Sequence, residues 1–203
     1  MRKNIFFDVD GVLIQGMKDG VYLWDKDLEK DLGIKDADKN RFLNENIDSM
    51  SLGTIDFKSA IIEFLNGIGA RVSAEEFIKY WFEKDSNVNF ELLELVKELG
   101  KDNNVYIAST QTHERAGYLW NVLGFREYFK DIYYSAKLGV IKDHAEFYRL
   151  IEEDLGIDVN VNQPVIIDDS KKVVEAANNA GWMGILFGGE GVLKSRDILK
   201  IIC

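Results

Sequence analysis

Three short apolar runs in this chain each end in polar residues whose types and spacing could do chemistry. Ile5-Phe6-Phe7 leads into Asp8-Val9-Asp10-Gly11, Val105-Tyr106-Ile107-Ala108 into Ser109-Thr110, and Val165-Ile166-Ile167 into Asp168-Asp169-Ser170. Taken singly, each could be an ordinary turn or helix cap, since Asp, Ser and Gly favour both. Taken together they imply more. If the three runs are parallel strands of one open sheet, their C-terminal ends share an edge, and ligands bind at that edge. Four carboxylates from the two ends of the sequence then meet in one crevice. They would repel, and one would be driven to protonate, unless a cation joined them. Two or three carboxylate oxygens around a small cavity suit Mg²⁺, with water and a phosphate group completing its six ligands.

The elements that must position these residues are legible in the same way. Ile132-Tyr134 and Ile185-Phe187 are two further apolar runs too short for independent helices. Between the runs lie stretches with helical spacing. Phe90-Leu92-Leu93-Leu95-Val96-Leu99 leads to a stop at Gly100, and Ala116-Leu119-Trp120-Leu123 to one at Gly124. Phe147-Leu150-Ile151-Leu155 stops at Gly156, and Val173-Val174-Ala176-Ala177-Ala180 runs from an N-cap at Ser170 to Gly181. Strands alternating with helices predict an α/β fold, a doubly wound parallel sheet covered on both faces.

The first connection departs from this rhythm. From about Gly16 to Asp85 the pattern is helical throughout, with no convincing strand. Leu23-Leu28-Leu32, Phe57-Ala60-Ile61-Phe64-Leu65-Ile68 and Phe77-Ile78-Trp81-Phe82 supply apolar faces, and Ser73 with Glu76 forms a capping box. So long a helical stretch is no ordinary crossover. It predicts an inserted α-helical cap domain at 16–85, with the α/β core at 1–15 and 86–203. Tyr22, Trp24, Trp81 and Phe82 in the insertion read as packing residues.

Composition narrows the partners. Acidic residues outnumber basic ones 35 to 25, a net charge of −10, which disfavours a nucleic acid or an anionic membrane as partner. A small anionic substrate fits if a cation offsets the field where it binds. No run approaches the roughly 18 apolar residues of a membrane span. The apolar stretch near Met1 is too short for a signal peptide, and the single cysteine, Cys203, suits a reducing compartment. A cytoplasmic location is expected. His113 and His144 have no second histidine or cysteine placed for zinc. Gly188-Gly189-Glu190-Gly191 lacks the Gly-Lys-Ser ending of a phosphate-binding P-loop and reads as a connection.

The order of these motifs resembles the haloacid dehalogenase (HAD)-like hydrolase superfamily, with its Rossmann-like core. Asp8-Val9-Asp10-Gly11-Val12 matches the first family motif, DxDG[VT], and Ser109 the second. Lys142, in Leu138-Gly139-Val140-Ile141-Lys142 before a helix, matches the third in preference to Lys137, and Asp168-Asp169 the fourth. The match spans the core from end to end, and the early helical insertion resembles one type of family cap. Two departures stand out. Asp143 follows Lys142 where many relatives have proline, although Asp143 with Glu146 would still start the helix. Thr110 follows Ser109 where asparagine is common.

The resemblance implies a Mg²⁺-dependent phosphatase acting on a small phosphorylated metabolite. Asp8 would be the nucleophile, forming an aspartyl-phosphate. Asp10 would protonate the leaving oxygen and then activate water. Ser109, Thr110 and Lys142 would hold the phosphoryl oxygens, with Lys142 neutralising their charge. Mg²⁺ would be held by Asp8, the main-chain carbonyl of Asp10 and Asp169, with Asp168 in support. A sugar phosphomutase would keep every one of these motifs, so it stands as an alternative, and a non-catalytic binding or regulatory protein of the same fold is a second. A 2-haloacid dehalogenase shares fold and nucleophile, but relatives with that activity lack the second aspartate of the first motif, and Asp10 is present.

Overall fold

The computed structural model describes residues 1–18 and 21–188. The chain opens with β1 (Asn4–Phe7), followed by the short strands β2 (Met17–Lys18) and β3 (Val21–Tyr22). Four helices come next: α1 (Leu28–Leu32), α2 (Asp36–Ser51), α3 (Phe57–Gly67) and α4 (Ala74–Lys84). Alternation then sets in with α5 (Phe90–Asp102), β4 (Asn104–Ser109), α6 (His113–Asn121), β5 (Ile132–Tyr134) and α7 (Ser135–Leu138). It finishes with α8 (Ala145–Leu155), β6 (Val165–Asp168), α9 (Lys171–Asn179) and β7 (Met183–Leu186).

Five strands form one parallel sheet in the order β5-β4-β1-β6-β7. Alternate side chains leave a strand on opposite faces, so the run Ile5-Phe6-Phe7 serves two cores. Ile5 and Phe7 join Leu92, Val96 and Leu119 beneath α5 and α6. Phe6 faces the other way, against Phe147, Ile151, Val173 and Trp182. All three β1 side chains are fully buried, each worth about 1.5–3 kcal/mol relative to exposure. Covering on both faces is why these strands read as unbroken apolar runs rather than alternating ones.

The register matters for function. Phe7 pairs with Ile107 on β4 and with Ile167 on β6, so the three strands finish at one edge, β6 one residue and β4 two residues further on. After β1 the chain builds out through β4 to β5, then returns to the far side of β1 for β6 and β7. That reversal leaves a crevice at the carboxyl ends of β1 and β6.

Helices α1–α4 gather around an apolar centre of their own, including Trp24, Leu28, Phe42, Phe57, Ile61, Phe77 and Phe82. Trp24 stacks on Trp81 at 4.7 Å between centroids, and Phe42 on Phe64 at 4.5 Å. Tyr22 differs from the packing role expected of it and lies 54% exposed. The chain leaves and re-enters the sheet region along two adjacent segments. There Gln15 donates to the carbonyl of Asn87 (2.9 Å), Asn89 to that of Leu13 (2.8 Å), and Ile14 bridges to Val88.

Several local expectations need correcting. The β2–β3 ribbon is a strand pair inside a stretch expected to be wholly helical, and two residues per strand are too few to show a period of two. Gly100 lies within α5, which continues to Asp102, because the Asn103 side chain takes up the helix end by donating to the carbonyl of Leu99 at 3.1 Å. Asp143 does not cap α8, whose N-cap is His144; its carboxylate pairs with Lys172 and Glu146 pairs with Arg149. Ser170 is the N-cap residue of α9, but its hydroxyl caps nothing; its N–H donates to Asp168 Oδ1 at 2.8 Å. Ser73 and Glu76 do form their capping box on α4. No helix among the described residues is long and apolar enough to cross a membrane. Cys203 and most of the Gly188–Gly191 stretch lie outside the described residues.

Candidate active site

Strand β1 delivers Asp8 to the crevice one residue past its last paired position, with the Asp8 N–H still donating to the carbonyl of Ile167 at 2.9 Å. The chain then turns tightly. The Gly11 N–H reaches the carbonyl of Ile14 at 2.8 Å and the Ile14 N–H that of Val9 at 2.8 Å. Gly11 has φ +81°, and a Cβ there would overlap the carboxylate of Asp169. The glycine therefore does two jobs: it permits the left-handed turn and lets Asp169 come against the backbone.

Oxygens of Asp8, Asp168 and Asp169 all lie within 4.8 Å of one another. The Lys142 ammonium sits among them, 2.5 Å from Asp8 Oδ2 and 2.6 Å from Asp168 Oδ2. The other oxygen of Asp8 accepts from the Val9 N–H at 2.7 Å. Asp8, Asp168 and Lys142 are buried, while Asp169 is exposed at the mouth. Three carboxylates around one ammonium leave two negative charges uncompensated. The consequence is visible in the acids. Burial and the charge on Asp8 push Asp168 upward against the pull of Lys142, and they push Asp169 upward too. Burial alone would lower Lys142, but the facing charges of Asp8 and Asp168 outweigh it and hold its ammonium above the ordinary range.

Asp10 stands apart from this cluster. One of its oxygens accepts from the Gln111 side-chain amide at 2.5 Å. Burial, then the nearby charges of Asp85 and Asp8, push its carboxyl up to about 7, despite the opposing influence of Arg115. Asp10 nevertheless has accessible surface. Protein packed close around a carboxyl that keeps one open side still strips part of its hydration, which favours the neutral acid. Ser109, fully buried at the end of β4, also accepts from Gln111 at 3.3 Å. Thr110 follows it, half-buried, in the loop.

Lys137 lies elsewhere, 3.6 Å from Asp131 and over the ring of Tyr133. His113 meets the Tyr134 hydroxyl at 3.2 Å, and His144 is exposed beside Asp143. Two contributors had no sequence signal. Gln111 carries no motif, although its place two residues past Ser109 could have drawn notice. Arg115 is buried between the rings of Phe82 and Tyr118 and bonds the carbonyls of Phe82 and Asp85, anchoring the returning segment.

The profile of the haloacid dehalogenase-like hydrolases matches residues 2–181. The chain belongs to this family. Among solved HAD structures, it is similar to the HAD family enzyme bt-2542 of Bacteroides thetaiotaomicron. The identity is 20%, the TM-score 0.79, and 97% of this chain and 98% of that one are covered. That enzyme has also been crystallised with magnesium and inorganic phosphate. A predicted HAD-like hydrolase of Porphyromonas gingivalis aligns at 18% identity and TM-score 0.79, covering 100% and 98% of the two chains. The 2-haloacid dehalogenase of Pseudomonas syringae aligns at 17% and TM-score 0.64, over 96% and 90%. Among curated proteins no match was found.

Proposed function

We propose that this HAD-like hydrolase is a phosphatase that transfers the phosphoryl group of a small phosphorylated metabolite to Asp8 and then to water. The observation that carries the reading is the contrast between two aspartates in one turn. Asp8 is paired with an ammonium, as a nucleophilic carboxylate requires, whereas Asp10 is pushed up to about 7 and can act as an acid. Asp8 Oδ2 attacks phosphorus while Asp10 passes its proton to the departing oxygen, so the alcohol leaves neutral. Asp10, now ionised, accepts a proton from the water that attacks the aspartyl-phosphate, which restores both groups. Ser109, Thr110 and Lys142 hold the phosphoryl oxygens.

The donor set fits Mg²⁺: hard carboxylate oxygens from Asp8, Asp168 and Asp169, to which the family resemblance adds the main-chain carbonyl of Asp10. When bound, the ion supplies positive charge to the phosphoryl oxygens as they gain it. The magnesium and phosphate seen with bt-2542 support this assignment. Residues 16–85 serve as a cap that excludes water and selects the leaving group. A dehalogenase reading is disfavoured by Asp10, because a halide needs no proton to depart.

The test is hydrolysis of an aryl phosphate by the purified chain. Turnover that requires Mg²⁺ and vanishes in Asp8→Asn, with the fold intact by circular dichroism, is expected. Unchanged turnover in Asp8→Asn would remove the nucleophile and with it the proposal.

A further inference from the structure

A chain of buried polar groups runs from the proposed acid to the inserted helices, and packing alone does not call for it. The Gln111 side-chain amide donates to Asp10 Oδ2 at 2.5 Å and to Ser109 Oγ at 3.3 Å. The Gln111 main-chain N–H donates to Ser135 Oγ at 3.0 Å, and the Ser135 hydroxyl reaches the carbonyl of Ser51, the last residue of α2, at 2.5 Å. Gln111, Ser135 and Ser51 are all buried, at 6%, 0% and 7% exposure. Just beyond, Gly53 holds φ +68° and lies so near α7 that a Cβ would come within 3.1 Å of the Ala136 carbonyl.

We propose that Gln111 is the positioning residue that aims Asp10, and that Ser135 ties this aim to the seating of the α2–α3 turn on α7. The proposal rests on the phosphatase reading above and deepens it. A neutral amide suits the task. It donates to the same Asp10 oxygen whether or not the other oxygen carries a proton, so it fixes direction without fixing charge. A lysine in its place would hold Asp10 ionised and spoil the acid. Binding to one oxygen leaves the second free for the leaving group. Seating of the turn therefore aligns the acid at the moment the insertion closes over a substrate.

The test separates aiming from mere packing by the leaving group. Breaking the ester bond of phenyl phosphate benefits from a proton from Asp10, whereas p-nitrophenolate departs readily without one. kcat/KM reports the steps through that departure. Gln111→Met keeps the volume and loses the amide, so kcat/KM for phenyl phosphate is expected to fall on the order of 10²-fold, the usual cost of a misplaced reacting group. For p-nitrophenyl phosphate it changes little. Ser135→Ala shows the same selectivity at roughly five- to tenfold, the worth of one hydrogen bond. If Gln111→Met does not fold, Gln111→Asn replaces it, since its amide is one methylene too short to reach Asp10 and the same selective loss follows. Equal losses on both esters, or none, would overturn the proposal; selectivity in Gln111 variants without any in Ser135→Ala would overturn its link to the α2–α3 turn. Asp8→Asn serves as control: if it hydrolyses both esters at wild-type rates, the phosphatase reading fails first and takes this inference with it.

Discussion

Among the described residues Lys142 is the one cation in contact with Asp8 and Asp168, so replacing it with methionine isolates what its charge does. Its ammonium lies 2.5 Å from Asp8 and 2.6 Å from Asp168, with all three side chains at most 8% exposed. At an effective dielectric constant of about 20, unit charges 4 Å apart interact by ~4 kcal/mol, so the loss is felt twice over. Breaking a buried pair by removing one partner typically costs about 3–5 kcal/mol, because a charge is left without compensation. For a chain of this length each kcal/mol is worth about 2–4 °C, so Lys142→Met should melt roughly 6–20 °C lower in EDTA. The deficit should depend on pH. Without the ammonium, Asp168, already pushed upward by burial and by Asp8, rises further above its unfolded value. A carboxylate raised by folding stabilises least where it must ionise, so the deficit is smaller at pH 5 and larger at pH 8. Saturating Mg²⁺ should restore part of it by supplying the missing charge. Melting curves by circular dichroism at both pH values, with EDTA or Mg²⁺, decide the matter. A variant that melts with wild type at pH 8 in EDTA would refute the electrostatic account of this site.

Three further outcomes follow from the same geometry. Mg²⁺ at 100 times its dissociation constant should stabilise the wild type by about 2.7 kcal/mol, and EDTA should reverse the shift in the calorimeter. Gly11→Ala should lose ~1–2 kcal/mol through its left-handed φ, and its Cβ should displace Asp169; Mg²⁺ titrations would then show weaker binding, while an unchanged affinity would contradict that contact. In the acid role proposed for Asp10, whose carboxyl is pushed up to about 7, kcat/KM for phenyl phosphate should hold below that pH and fall about tenfold per unit above it. The limb should be absent in Asp10→Asn.

How far the sequence went depended on the range of the interaction concerned. The strands β1, β4 and β6 were legible because burial on both faces leaves an unbroken apolar run, and their shared edge followed from the parallel sheet. The meeting of Asp8, Asp168 and Asp169 was legible for the same reason. What failed was set by long-range partners. Asp143 sits where a helix cap belongs, yet Lys172 on α9 claims its carboxylate. Gly100 looks like a stop, yet Asn103 closes the helix later. Gln111 joins the site through its contact with Asp10 in the turn after β1, which the sequence signals only by its place two residues past Ser109. Arg115 reads as an ordinary surface position on an amphipathic helix, whereas it is buried against carbonyls some thirty residues earlier.

The arrangement also explains why two acids separated by a single residue have such different surroundings. In extended chain, Asp8 and Asp10 would share a face, but the turn fixed by Gly11 lets the second diverge. Asp8 accepts from Lys142 and the Val9 N–H, with Asp168 and Asp169 close by. Asp10 faces the neutral amide of Gln111 and feels the charge of Asp85, and among the described residues no cation is in contact with it. Arg115 could have supplied one, but its guanidinium is committed to Asp85 at 3.4 Å and to two main-chain carbonyls. The anchor that fixes the returning segment thus also keeps a cation from pairing with the acid. Three carboxylates against one ammonium leave a deficit of two charges at the metal site, which a divalent ion would close, while Asp10 remains outside that balance and free to carry a proton.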